Sequence, residues 1–266
     1  MPTGDRLHFI GTATTVMSLG SFTLLTDPNF LHRGQRAYLG WGLSTRRLTE
    51  PAITPEELPE LDTVLLSHLH GDHFDRVSRE QLDRTAPVLS TPHAVRRLDA
   101  WGFDARALET WEQHTLSKGD EQLRVTAVPA VHARGLLGRM LPPVMGSILE
   151  HVVDGAVRRR VYVSGDKLTG AHVDEVRENF PDIDVAVVHL GGTRVLLRTV
   201  TMDGPMGVDF VERVRPGAVV PVHHDDYGVF RSPLSDFVER ARDAGLAAEL
   251  RCPARGETVS LTPPRP

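Results

Sequence analysis

Cysteine is almost missing from this 266-residue chain: Cys252 stands alone, which excludes an internal disulfide and any four-thiolate metal site. Lysine is nearly as scarce. Lys118 and Lys167 are the only two, and arginine supplies the rest of the 30 basic residues. The 35 acidic residues outnumber them, and a net charge of −5 argues against a nucleic-acid binder, which carries a basic surplus on one face. Long apolar runs are lacking too. No window approaches the roughly 20 residues that span a bilayer, so no stable membrane insertion is expected. Met1–Arg6 leads straight into Leu7–Ile10 without the apolar stretch of a signal peptide, and a cytoplasmic location is the expectation. No internal repeat, low-complexity tract or linker interrupts the chain. Residues 1–266 therefore read as one domain, long enough to bury a sizeable core.

What is present is a regular alternation of elements. Leu7–Ile10, Phe22–Thr26, Asp62–Ser67, Pro87–Ser90, Gln122–Val128, Val185–His189 and Ala218–Val222 are short apolar runs of strand type. Ile148–Val153 and Arg160–Ser164 flank Asp154-Gly155 as a hairpin. Thr91-Pro92 opens a helix that Gly102 ends, and His172–Phe180, Pro205–Val214 and Ser232–Ala244 are further helices, the last with Pro233 at its first position. The class is α/β. Residues 31–60, rich in glycine and proline, read as a long functional loop, with Tyr38 and Trp41 as candidates for a pocket wall.

Four of the strand-type runs lead into residues that ligate metals. The run 62–67 leads into His68-Leu69-His70-Gly71-Asp72-His73, 122–128 into His132, 160–164 into Gly165-Asp166, and 218–222 into His223. Ligands at strand ends are fixed by a rigid sheet yet point into open space. In His68-x-His70 a turned backbone sets both imidazoles toward one ion, while Gly71 is expected to adopt unusual dihedral angles that present Asp72 and His73 to a second. Two ions about 3.5–4 Å apart need some six or seven protein ligands, and these residues number seven. A single histidine such as His132 or His223 would mean little alone. His224 competes with His223 for the last position.

The pattern His-x-His-x-Asp-His, then a lone His, a Gly-Asp and a final His after an apolar strand, resembles the metallo-β-lactamase-fold hydrolase superfamily. The resemblance runs from Phe22–Pro28 to Val219–His223. Ser67–Asp75, Val128–His132 and Ser164–Asp166 are most similar to the branch containing the ascorbate-phosphate lactonase and the N-acylphosphatidylethanolamine-hydrolysing phospholipase D. The resemblance implies an αββα sandwich of two mixed sheets flanked by helices. It implies that His68, His70 and His132 hold one divalent ion, that Asp72, His73 and His223 hold another, and that Asp166 bridges them. Zinc is the first expectation for both, with manganese or iron as alternatives that N/O ligands also accept.

The expected chemistry is hydrolysis of an ester, lactone or phosphodiester of a small molecule by a hydroxide shared between the ions, with Asp72 as a catalytic group that orients the nucleophile. A di-iron redox enzyme of the same fold is the alternative. Relatives commonly have Thr where this chain has Lys167, and often a Pro before the glycines after the next strand, where this chain reads His189-Leu190-Gly191-Gly192. Lys167, His189 and Arg194 are the candidate substrate contacts. The apolar, glycine-rich Gly135–Pro143 reads as a lid, a lipid-facing lip or a contact between copies of a homo-oligomer.

Overall fold

Strands buried on both faces read as continuous apolar runs, and such runs pack only between other layers. The computed structural model describes residues 4–263 apart from 41, 136, 137, 139, 196 and 197. Its first mixed sheet contains β1 (Arg6–Gly11), β2 (Thr14–Leu19), β3 (Phe22–Thr26), β6 (Thr63–Leu65), β7 (Val88–Ser90), β8 (Ala105–Ala107) and β18 (Thr258–Ser260), in the order β18-β1-β2-β3-β6-β7-β8. The second contains β9 (Gln113–Lys118), β10 (Glu121–Pro129), β11 (Met145–Val153), β12 (Ala156–Val163), β13 (Val185–His189), β16 (Ala218–Val222) and β17 (Glu249–Leu250), in the order β17-β16-β13-β12-β11-β10-β9. In each sheet an antiparallel half passes into a parallel half.

The alternation of side chains along a strand builds three layers of core. Leu24, Leu65, Val185 and Val187 face the space between the sheets. Leu25 and Val64 face outward, under α2 (Pro92–Ala100), which contributes Ala94 and Leu98. Ala186 and Val188 face the other way, toward α3 (Ala171–Asn179), α4 (Gly204–Val214) and α5 (Leu234–Asp243), whose Val173, Val176, Phe210 and Phe237 join the same cluster. Helix, sheet, sheet, helix is the expected sandwich. Caps fix the helix starts: Asp75 accepts from Ser78 N at the head of α1 (Arg76–Gln81), Thr91 from Ala94 N at α2, and Asp203 from Met206 N at α4. No helix among the described residues is long and apolar enough to cross a membrane.

Two readings change. Residues 31–60 are not a bare loop: they carry a hairpin, β4 (Arg36–Gly40) and β5 (Leu43–Arg46), and a 3-10 turn at Pro55–Glu57. Trp41 lies outside the described residues. Pro233 is the N-cap of α5 and not its first helical residue. A second short hairpin, β14 (Arg194–Val195) and β15 (Arg198–Thr199), precedes α4. Of Gly135–Pro143, residues 136, 137 and 139 are outside the description, Met140 is exposed and Leu141 is buried.

Candidate metal centre

The parallel strands bring their C-terminal ends to one edge of the sandwich. β3 and β6 run together, as do β12, β13 and β16. β10 lies two antiparallel steps from β12 and so points the same way. Asp27 follows β3, His68–His73 follows β6, His132 follows β10, Asp166 follows β12, His189 ends β13 and His223 follows β16.

The seven expected ligands meet there. His68, His70 and His132 offer nitrogen atoms within 4.8 Å of one another, and so do the donor atoms of Asp72, His73 and His223. His68 Nε2 and His70 Nδ1 are 2.8 Å apart. Asp166 lies between the two groups, with Oδ2 3.2 Å from His73 Nε2 and Oδ1 3.4 Å from His223 Nδ1. His223 Nε2 is 3.5 Å from Asp72 Oδ2. His224 turns away, Nδ1 to Asp225.

Partners outside the donor triads aim three of the rings. His132 Nδ1 donates to Val200 O at 3.0 Å, and His223 Nδ1 donates to Leu190 O at 3.0 Å, which leaves Nε2 of each ring toward the centre. His73 is held by Asp27, whose Oδ2 is 3.1 Å from Nδ1. Asp27 also accepts from Ser67 N at 2.7 Å and Ser67 Oγ at 3.0 Å. Sequence reasoning misses Asp27, because Asp-Pro-Asn after a strand reads as a turn. The signal that could have found it is the one used for the other sites: an acid at the end of a buried strand.

The backbone is unusual here. Asp27 has φ 38°, His223 has φ 60°, and Thr12, whose carbonyl accepts from His223 N at 2.5 Å, has φ 53°. Three non-glycine residues held in the left-handed region around one cluster mark a place that the fold over-determines. Gly71 is different from expectation. Its φ is not in the left-handed region. A Cβ there would lie 2.6 Å from Tyr38 O and 2.7 Å from Tyr38 N, so close approach of β4 is what demands glycine.

The buried carboxylates make the centre electronegative. Burial opposes ionisation of Asp166, but His223 and His73 outweigh it and hold its pKa well below the ordinary carboxylate range. Asp27 is treated likewise by His73 and His189 and falls to about 2. Burial disfavours charge on His73, yet Asp166 and Asp27 raise its pKa well above the usual imidazole value. Burial dominates at His68, which is pushed down, and at His70, which falls to about 4. The neutral imidazoles of His68 and His70 and the ionised carboxylates beside them are donors that borderline divalent ions take. Asp72 Oδ1, His73 Nε2, Asp166 Oδ1 and His223 Nε2 are buried with no hydrogen-bond partner among the described residues. Such orphans are rare in native proteins, and all four point into this cluster, so the residues fit a pair of cations. A cavity with about 30 Å3 of water-accessible space opens onto His70, Asp72, His132 and Asp166, between Leu39, Leu43, Leu141, Thr193 and Val200.

The three expected substrate contacts are not at this cavity. Lys167 is fully buried on the far side of its strand end, donating to the Tyr162 hydroxyl and 3.4 Å from Pro129 O, with the rings of Tyr162 and Phe210 at 4.6 and 5.4 Å. It faces the helix layer because consecutive residues at a strand end point to opposite sides. His189 is fully buried as well. It touches Ser164 Oγ at 3.2 Å and Asp27 Oδ2 at 3.2 Å, so it braces Asp27. Arg194 is exposed on the β14–β15 hairpin and does not line the cavity.

Residues 23–224 match the family model described as the beta-lactamase superfamily domain. A metal-dependent hydrolase of Anaeromyxobacter sp. (strain K) is 30% identical over 235 residues, covering 84% of this chain and 76% of that protein. Among solved structures, the isothiocyanate hydrolase from Delia radicum gut bacteria superposes with a TM-score of 0.81 at 18% identity, over 97% of this chain and 99% of that one. CmlA, a diiron beta-hydroxylase from Streptomyces venezuelae, superposes with a TM-score of 0.67 at 17% identity, over 98% of this chain and 55% of that one.

Proposed function

The chain belongs to the beta-lactamase superfamily and is a metal-dependent hydrolase, and from that premise we propose that its centre is dinuclear and cleaves an ester, lactone or phosphodiester bond of a small molecule. The observation that carries this reading is the convergence of two donor triads on one buried carboxylate. His68, His70 and His132 would hold one ion, Asp72, His73 and His223 the other, and Asp166 both. Two divalent cations, when bound, supply Lewis-acid polarisation of the electrophile and acidify a water. Zinc is our first assignment, manganese or iron the alternatives. We read residues 1–266 as one domain, supported by the core that the two sheets share. The motif Ser67–Asp75 supports the lactonase and phospholipase D branch.

The chain's own groups set the geometry. Asp27 keeps the His73 proton on Nδ1, and the Leu190 and Val200 carbonyls do the same for His223 and His132. Asp72 has one carboxylate oxygen near His223 and a second, Oδ1, without a protein partner among the described residues. That second oxygen is placed to accept a proton from, and so orient, the attacking water. Leu39, Leu43, Leu141 and Val200 form an apolar wall that limits bulk water at the reacting groups.

The test is metal analysis joined to a substrate panel. Protein purified without chelator should contain about two equivalents of metal. After reconstitution it should hydrolyse members of a panel of lactones, phosphodiesters, thioesters, β-lactams and isothiocyanates, the last because a structural neighbour bears that name. A His68→Ala protein with unchanged metal content and unchanged turnover would overturn the reading. The likeness to the diiron beta-hydroxylase supports a second reading, in which stoichiometric iron with a visible absorption band replaces zinc or manganese.

A further inference from the structure

Three cavities meet at His70. The small one at the metal centre shares Leu39, His70 and Leu141 with a second of about 810 Å3. The second shares Tyr38, Leu69, His70 and Arg97 with a third of about 380 Å3. Space of that size accommodates a small ligand. The third cavity is walled by Arg36, Arg76, Arg79 and Arg97. Among the described residues none of these four arginines is in an ion pair.

The geometry of the wall suits recognition. Arg79 lies over the Trp101 ring at 5.0 Å, which holds its guanidinium in place. Arg36 is tethered by Nε and Nη2 to Ser44 Oγ and Ser44 O. Arg97 and His70 belong to both larger cavities, so the arginine-lined space is continuous with the one beside the metal centre. The one acid on the wall, Asp75, forms no ion pair with them among the described residues, and neutral donors occupy its oxygens. Its Oδ2 accepts from Phe30 N and Leu31 N, and its Oδ1 from Ser78 N and Ser78 Oγ. Four guanidinium groups without an ion pair in a concave site run against the net charge of −5 of the whole chain. Guanidinium is weakly hydrated and presents a planar fork that fits carboxylate and phosphate oxygens in pairs.

We propose that this cavity is an anion subsite of the hydrolase. The substrate carries a carboxylate or phosphate group, held by Arg79 and Arg97, at the end remote from the bond presented beyond His70 to the metal centre. The apolar body between the two ends lies along Leu39, Leu69, Met140 and Leu141. This rests on the hydrolase reading, which supplies the reacting end.

Two measurements separate the subsite from that reading. Inorganic phosphate is titrated calorimetrically into metal-loaded protein and into chelator-treated protein. Saturable binding is expected in both, about tenfold or more weaker in Arg79→Gln/Arg97→Gln. Arg84→Gln, which removes one such charge from a side chain stacked on Phe103 outside the cavity, should bind as the parent does, and each of Arg79→Gln and Arg97→Gln alone should bind more weakly than it. Binding only in the metal-loaded protein, or equal weakening by Arg84→Gln, overturns the subsite. Hydrolysis is then compared for a matched pair, p-nitrophenyl butyrate and the mono-p-nitrophenyl ester of glutarate. The anionic ester should have a kcat/KM about tenfold or more above the neutral one, the preference should vanish in the double variant, and the change should lie in KM. Equal kcat/KM for both esters sinks the subsite while hydrolysis stands. Phosphate binding that follows Arg79 and Arg97 in a protein that cleaves neither ester nor any member of the wider substrate panel sinks the proposed bond class while the subsite stands.

Discussion

Removing the ammonium of Lys167 should destabilise the protein little or not at all, provided that the Tyr162 hydroxyl is removed with it. Lys167 has no carboxylate partner among the described residues. It donates to the Tyr162 hydroxyl, lies 3.4 Å from Pro129 O, and is otherwise surrounded by the Tyr162 and Phe210 rings. Burial lowers its pKa from 10.5 to about 7. A fall of that size corresponds to roughly 5 kcal/mol against the charged form. Tyr162→Phe takes away the nearest acceptor and leaves the ammonium in the core, and a loss of about 2–4 kcal/mol follows. Lys167→Met removes the charge but orphans the buried hydroxyl, and these opposing effects should leave it within about 2 kcal/mol of the parent. The double variant has neither problem and should be neutral or about 1–3 kcal/mol more stable. The pair should therefore show a coupling energy of about 2 kcal/mol or more. Urea unfolding of the metal-saturated proteins, with midpoints and slopes compared across the four, measures it. Additive losses in the double variant would refute the packing argument. Loss of metal in Lys167→Met, of the kind expected for His68→Ala, would refute the claim that Lys167 faces away from the centre.

Asp27→Asn should lower zinc affinity about 10–100-fold, read by competition with a chromophoric chelator, since it weakens the acceptor that orients His73; unchanged affinity removes that role from Asp27. His223→Ala should lose one of two metal equivalents by elemental analysis while His224→Ala keeps both, and the reverse pattern would exchange their assignments. Gly71→Ala should lose about 1–3 kcal/mol and lower the thermal midpoint, because the added methyl meets the Tyr38 backbone; a variant as stable as the parent contradicts that contact.

The legible part of the sequence is the part in which chemistry dictates residue type. Metals need imidazole and carboxylate donors at set spacings, so His68–His73, Asp166 and His223 stand out from the order of residues alone. Apolar runs such as Val185–His189 and Ala218–Val222 coincide with the observed strands. The supporting residues are illegible because their types are not special. Asp27 looks like a turn residue, and Ser67, which bonds it through both backbone and hydroxyl, looks like a strand end. Lys167 misleads for a related reason: proximity in sequence to Asp166 says nothing about the side of the strand on which each lies. The peripheral strands β8, β9, β17 and β18 escape notice because short runs such as Ala-Arg-Ala and Gln-His-Thr-Leu-Ser-Lys carry no apolar period strong enough to distinguish them from loops.

The hairpin β4–β5 is the more instructive omission, since it links metal binding to substrate entry. Its glycine-rich composition suggests a free loop, yet it is fastened at two places. Gly71 N donates to Tyr38 O at 2.9 Å, and an antiparallel bridge pairs Arg47 with Tyr227 through Leu48 N to Asp226 O at 2.8 Å and Gly228 N to Arg46 O at 3.3 Å. The first attachment lies within the ligand segment His68–His73, and the second lies in the segment that follows His223. Leu39 and Leu43, from the same hairpin, wall the metal cavity, and Tyr38 and Arg36 wall the arginine-lined one. One small ribbon therefore joins the loops of both donor triads to the surfaces that would hold a substrate. A change of side chain on its outer face can reshape the pocket while the backbone contacts at Tyr38, Arg47 and Leu48 keep the ligands in register. That division of labour explains how the metal centre can stay fixed while the molecule it acts on is selected by residues that carry no motif.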